Sequence, residues 1–308
     1  MYGGRHSDRL DGESGDDQLF GGARSDVLEG GIGNDILYGG NGQDDLFGGA
    51  DNDQLYGGRH TDNLTGGSGD DQLFGGTYDD VLYGGTGNDM LDGGGSRDEL
   101  YGGIGNDVLT GGGSHDQLYG GEGDDTFVAS IGDRADIYVG DDGTGNVGVD
   151  TLDMSAITAN IMVDFGAGFT QSSQTWRDTI TEIENVVTGS GDDTIVANEV
   201  VNVMDGGDGN DIFRFQTTDD ADGDTILNFE AGDTIDLSVI DANGGAAGDG
   251  AFTLVTGGLT GAGQLSVSYE ARDDGTYAVI EGSTTSAAAD FTLNVKTDLT
   301  LTTSDFGL

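Results

Sequence analysis

Proline and cysteine are absent from the 308 residues, tryptophan occurs once and histidine three times, and Lys plus Arg number 10 against 58 Asp plus Glu. Without cysteine there is no disulfide, whatever the compartment. A formal net charge of -48 repels phosphate, which argues against nucleic acid as a partner and against adhesion to an anionic membrane. No run of about 18 apolar residues occurs, so no helix is expected to span a membrane. The N-terminus lacks the basic, apolar and small-residue order of a cleaved signal peptide. So acidic a chain repels itself and needs counter-charge to become compact. A disordered acidic tail has such a composition, but it does not require the strict leucine periodicity found here. A loop-rich chain without disulfides needs another staple, and bound metal is the obvious one.

From Gly3 to Val128 the sequence divides into fourteen units of nine residues without an insertion, reading GGRHSDRLD, GESGDDQLF, GGARSDVLE and so on to GGEGDDTFV. The sixth position is always aspartate: Asp8, Asp17, Asp26, Asp35, Asp44, Asp53, Asp62, Asp71, Asp80, Asp89, Asp98, Asp107, Asp116 and Asp125. The eighth is leucine from Leu10 to Leu118 and Phe127 in the last unit. The G-G-x-G-x-D part reads as a turn, since glycines accept positive φ without steric cost. The x-Leu-x part reads as a short strand with leucine on one face. One such strand buries nothing alone, but stacking many aligns the leucines into a core. Two strands and two turns close a coil, so the expectation is an all-β parallel roll of about 18 residues per coil and about seven coils.

Coils stacked at the strand spacing of ~4.8 Å place the aspartates in columns along each edge. Like charges at that distance repel by roughly 1 kcal/mol even in water and by more in a lower dielectric. A cation between successive turns removes the problem. Ca²⁺ suits the gap, because it accepts about six to eight oxygens from carboxylates and backbone carbonyls in flexible geometry. Mg²⁺ demands a stricter octahedron, and Zn²⁺ prefers the imidazole or thiolate ligands that are scarce or missing here. The nonapeptide resembles the RTX repeats of type I secreted proteases, lipases and toxins. That resemblance implies that the position-6 aspartate bridges ions above and below it, with carbonyls near positions 1 to 4 completing the shell.

The two edges differ in sequence. Position 4 is Gly15, Gly33, Asp51, Gly69, Gly87, Gly105 and Gly123 in even units, but His6, Arg24, Gly42, His60, Tyr78, Ser96 and Ser114 in odd ones. Arg5, Arg9, Arg24, Arg59 and Arg97 and all three histidines, including His115, also fall in odd units. These positions predict a fully loaded even edge and an odd edge with fewer ions, where Arg or His neutralise some aspartates. At position 9, Phe20, Tyr38, Tyr56 and Phe74 recur every 18 residues, as do Tyr83, Tyr101 and Tyr119. Each set predicts an outward-facing ladder that stacks for stability or grips a carbohydrate or cell-surface partner.

The expected organisation is a roll over 1–128, a β-rich connecting region over 129–187, a second short repeat block over 188–215 and a C-terminal β domain over 216–308. The second block holds G-S-G-D-D-T-I and G-G-D-G-N-D-I-F, with a degenerate unit between them in which Asn202 replaces aspartate; Asp193 and Asp211 are its expected Ca²⁺ ligands. From about 215 the chain resembles the C-terminal domain of serralysin-type metalloproteases, in Asp224-Thr225-Ile226-Leu227-Asn228-Phe229, in the stretch from Gly232 to Asn243, and in Ala262-Gly263-Gln264-Leu265. Residues 283–289 replace an acidic loop of that family ahead of Asp290-Phe291. The terminal Ser304-Asp305-Phe306-Gly307-Leu308 resembles an uncleaved type I secretion signal.

No H-E-x-x-H or G-x-S-x-G motif occurs, so neither a zincin nor a nucleophile elbow is expected. Carboxylate pairs alone do not exclude a glycosidase dyad, but little sequence remains to form a cleft. The reading is a non-enzymatic, secreted Ca²⁺-binding protein that meets the type I secretion apparatus and folds outside the cell. The alternatives are the Ca²⁺-binding and secretion part of a larger extracellular enzyme, or a glycan or surface adhesin.

Overall fold

The computed structural model describes residues 1–141, 148–242, 250–285 and 288–308. Asn243 of the serralysin-like stretch and Ser286 and Ala287 of the replaced loop lie outside the described residues. The chain divides into two compact units, one of residues 1–153 and 174–183 and the other of 154–173 and 184–308. The region 129–187 is therefore shared between the units.

The first unit is a β-roll of two parallel sheets with eighteen residues per coil. The leucines of even-numbered units align with one another: Leu19 with Leu37, Leu37 with Leu55, and Leu55 with Leu73. On the opposite sheet Leu28 aligns with Leu46, Leu46 with Leu64, and Leu82 with Leu100. Every leucine from Leu19 to Leu118 is fully buried. Each buried leucine contributes about 1.5–3 kcal/mol, and Phe127, Tyr138 and Leu152 continue the buried interior beyond them.

Strands are longer than the three residues expected. Gln18–Ala23, Ile36–Asn41 and Gln54–Arg59 are typical, each six residues long. The paired glycines therefore belong to the strand, and the turn is only positions 4 to 6. The reason is packing. Strand positions alternate in and out, so the first glycine faces inward beside leucine. A Cβ at Gly39 would sit 2.7 Å from Asp44 Oδ2 and 2.8 Å from the Gly57 carbonyl oxygen. Glycine stands there because oxygen atoms fill the space of a side chain.

Among its described residues the second unit is also all β apart from two single 3₁₀ turns. Asn185–Val187, Val203–Asp205 and Thr225–Leu227 stack in parallel, and Phe291–Lys296 continues them before an antiparallel hairpin of Gln264–Arg272 and Gly275–Ser283. A second sheet runs through Ile161–Asp164, Thr194–Val196, Ile212–Arg214, Thr234–Asp236 and Phe306–Gly307. The short repeat block thus supplies strands to both sheets. The chain terminus is folded in: Phe306 is buried, and Thr302 and Asp305 form a reciprocal capping box ahead of it. Asp290 accepts hydrogen bonds from the backbone N–H groups of Thr284 and Thr285.

Candidate calcium site

The turn at positions 4 to 6 aims each aspartate back along its column. From Asp8 to Asp107, the backbone N–H of each position-6 aspartate donates to Oδ1 of the aspartate eighteen residues later. The distance is 2.7 Å from Asp8 to Asp26 and from Asp17 to Asp35, and 2.8 Å from Asp44 to Asp62 and from Asp107 to Asp125. One carboxylate oxygen of each step is therefore satisfied. The other is not. Oδ2 is buried without a hydrogen-bond partner in Asp8, Asp26, Asp44, Asp62, Asp80, Asp98 and Asp116, and in Asp35, Asp53, Asp71, Asp89, Asp107 and Asp125. Buried polar atoms are normally paired, so two regular columns of orphaned carboxylate oxygens point to a missing positive partner.

Carbonyls converge on the same space. A Cβ at Gly57 would sit 2.7 Å from Asp62 Oδ2 and 2.8 Å from the Gly75 carbonyl oxygen of the next coil. The position-4 glycines Gly15, Gly33, Gly69, Gly87, Gly105 and Gly123 all have φ between +105° and +134°. Among the described residues no hydrogen bond is made to the carbonyls of Gly33, Gly69, Gly87 and Gly105. No group of three or more His, Cys, Asp or Glu side chains that could hold a metal occurs among the described residues. A carboxylate oxygen with several carbonyls is a hard, all-oxygen donor set, which fits Ca²⁺ and not Zn²⁺.

Burial raises the carboxyl pKa along both columns, and neighbouring aspartates add to it. Asp53 and Asp89 are pushed to about 6, Asp71, Asp107 and Asp125 to about 7, and Asp62 and Asp98 to about 8. Without a cation Asp62 and Asp98 resist ionisation at neutral pH, and the others ionise less readily than a solvated carboxyl.

The edges are more alike than their sequences. Arg24, His60, Tyr78, Ser96 and Ser114 adopt positive φ of +76° to +128°, the same sign as the even-edge glycines. Each such residue costs on the order of 1 kcal/mol, yet the carboxylate column is unchanged. Among the described residues no arginine of the roll pairs with a position-6 aspartate; Arg9 pairs instead with Glu29. His60 and His115 lower the pKa of Asp44 and Asp116 only as the weaker contributions to environments dominated by burial. The geometry thus lends no support to a poorer odd edge.

Both aromatic ladders form. Phe20, Tyr38, Tyr56 and Phe74 stack at 4.9 Å with rings within 9° of parallel, and Tyr2 extends the column at 4.6 Å. Tyr83, Tyr101 and Tyr119 stack at 4.8 and 4.9 Å. Interior ring faces are covered by their neighbours, so the ladders stabilise the sheets and leave mainly ring edges for a sugar.

In the second unit Asp193 N–H donates to Asp211 Oδ1 at 2.8 Å, and both Oδ2 atoms are orphaned as in the roll. The columns also run further than the repeats. Asp125 N–H donates to Asp150 Oδ1 and Asp116 N–H to Asp136 Oδ1, each at 2.8 Å. Asn202 N–H donates to Asp224 Oδ1 at 2.7 Å and Asp211 N–H to Asp233 Oδ1 at 2.9 Å. Sequence reasoning missed Asp136, Asp150, Asp178, Asp224 and Asp233. Their signal was aspartate two residues before a buried apolar residue, as in Asp150-Thr151-Leu152 and Asp178-Thr179-Ile180, once the nine-residue register is set aside.

Parallel coils with an orphaned carboxylate oxygen in every turn from Asp26 to Asp125 define a calcium-binding β-roll. Residues 2–135 match, in overlapping segments, the model of the RTX calcium-binding nonapeptide repeat, and residues 176–307 match that of the Peptidase M10 serralysin C terminal. The chain is built of RTX repeats, which bind multiple Ca²⁺ ions, followed by a serralysin-type C-terminal domain. No curated protein matches it.

Proposed function

We propose that this is a secreted, non-enzymatic Ca²⁺-binding protein, exported unfolded by a type I system and folded outside the cell by Ca²⁺. The observation that carries the reading is the pair of columns of buried, unpartnered Oδ2 atoms. Where Ca²⁺ is scarce, the aspartates of successive coils repel one another and the leucine column stays open. Bound Ca²⁺ supplies the counter-charge. The carboxylate oxygens and turn carbonyls then draw the coils together, and the leucines leave water. Because the ligand set exists only in the folded roll, metal binding stabilises that state by mass action. Extracellular modules of this kind hold Ca²⁺ with Kd of about 10⁻⁴–10⁻³ M. Both edges are loaded, with Asp8 to Asp125 in the roll and Asp193 and Asp211 in the second unit as ligands.

The test is circular dichroism in chelator and through a Ca²⁺ titration, with calorimetry for stoichiometry. Full β structure in chelator, with no gain on adding Ca²⁺, would rule the proposal out. The match of residues 176–307 to a peptidase C terminus favours a second reading, that of the Ca²⁺-binding and secretion part of a larger enzyme. Reading the encoding gene on both sides of this segment separates the two.

A further inference from the structure

The degenerate unit of the second repeat block breaks the carboxylate pattern at Asn202. Its backbone keeps the column: Asn202 is fully buried, and its N–H donates to Asp224 Oδ1 at 2.7 Å, as the roll aspartates donate to their successors. Its side chain does not follow the aspartates. Nδ2 donates to the carbonyl of Glu184, eighteen residues back, at 2.8 Å, and Oδ1 accepts from Asn198 N–H at 3.2 Å. These partners fix which way the amide points, because a carbonyl only accepts and an N–H only donates. Asp193, Asp211 and Asp224 each leave a buried Oδ2 without a hydrogen-bond partner, whereas both polar atoms of the Asn202 side chain are satisfied.

The backbone bonding around Asn202 is rewired to match. In the roll, the carbonyl of a position-6 aspartate accepts from a strand N–H of the next coil: Asp44 from Asn63 at 2.9 Å, and Asp62 from Val81 at 3.0 Å. Glu184 stands at the corresponding place before Asn202. Here the Val203 N–H donates to the side-chain Oδ1 of Asn185 at 2.9 Å, and the Glu184 carbonyl takes the Asn202 amide. Asn185–Val187 and Val203–Asp205 still pair in parallel register, with Val186 on Met204 and both of these side chains buried. Two asparagines thus join these strands through neutral hydrogen bonds.

We propose that the Asn202 amide takes the place of a Ca²⁺ ion, so that the step from Glu184 to Asn202 closes without metal inside a repeat block whose aspartates need it. Nδ2 offers a coil carbonyl an electropositive partner, and it brings no negative charge to be offset. An aspartate at this position would set a carboxylate oxygen against the Glu184 carbonyl with no donor between them, and buried oxygens so placed call for a hard cation. Asn202 is therefore a specificity-determining residue. It sets how many ions the second unit takes, and it lets one joint of that unit form where Ca²⁺ is too scarce to load the coils. The proposal rests on the Ca²⁺ reading of the roll.

The test counts bound ions on the full chain by native mass spectrometry at saturating Ca²⁺, for the wild type, Asn202→Asp and Asn202→Ala. Asn202→Asp supplies the carboxylate that the other repeats carry, and should hold one more ion per chain than the wild type. Its melting temperature should also rise more steeply with Ca²⁺ than that of the wild type, because binding to the folded state alone stabilises it. Asn202→Ala loses the amide and should keep the wild-type count. A count in Asn202→Asp equal to the wild type overturns the proposal, since the amide would then stand in no ion's place. Loss of an ion in Asn202→Ala overturns it as well, because it would make Asn202 Oδ1 a ligand. Where one variant does not fold at saturating Ca²⁺, the count on the other decides. A wild type that takes up no Ca²⁺ sinks the Ca²⁺ reading itself.

Discussion

Asp62→Asn should have opposite effects on the two states of the roll. Asp62 is fully buried in the middle of the odd column; its Oδ1 accepts from Asp44 N–H at 2.8 Å and its Oδ2 is orphaned. Neighbouring aspartates one coil away, at ~4.8 Å, each oppose its charge by ~3.5 kcal/mol at an effective dielectric near 20. Protonation relieves part of that, since burial first and then Asp80, Asp44 and Asp45 push its pKa to about 8. Asparagine removes the charge, keeps the Oδ1 acceptor and places an N–H near the Gly75 carbonyl. The metal-free roll should gain about 2 kcal/mol, the scale of one relieved buried group. The Ca²⁺-loaded roll loses one charged ligand, which should raise the Ca²⁺ midpoint about tenfold, or ~1.4 kcal/mol. The assay is far-ultraviolet circular dichroism against free Ca²⁺, with urea melts in chelator for the metal-free state. An unchanged or lowered midpoint would refute the reasoning, because it would mean that the carboxylate is not a ligand.

Acid should replace Ca²⁺ in part. The folded-state pKa values of about 6 to 8 lie above the ordinary 3.8, so the metal-free fold binds more protons than the unfolded chain. Its stability is greatest below pH 4 and is lost as pH rises through 6 to 8; a chelated sample with more β structure at pH 8 than at pH 4 contradicts this. Gly39→Ala pushes a Cβ to 2.7 Å from Asp44 Oδ2 and should cost more than about 2 kcal/mol in Ca²⁺. Gly95→Ala meets nothing within 4 Å and should stay within about 0.5 kcal/mol, so equal melting temperatures for the two variants count against the packing argument. Leu64→Ala empties a fully buried position and should cost about 2–5 kcal/mol in thermal melts at saturating Ca²⁺.

The nine-residue period made the roll legible before any coordinates. Asp at position 6 and Leu at position 8 repeat through local chemistry, so coil length, inward leucines, aspartate columns and the spacing of Phe20, Tyr38, Tyr56 and Phe74 could all be read from the order of residues. The resemblance of residues beyond 215 to a serralysin C terminus was readable for the same reason, because it rests on short contiguous strings. What could not be read depends on contacts between distant segments. That Gly39 lies in a strand follows from oxygens of Asp44 and of Gly57 in the next coil filling the space of its Cβ. That the odd edge keeps its carboxylate geometry despite Arg24 and His60 follows from coil stacking, which holds those residues at positive φ. The column's extension to Asp136 and Asp178 spans 20 and 42 residues. Periodicity carries no information across such gaps, and only hydrogen bonds between folded segments join their ends.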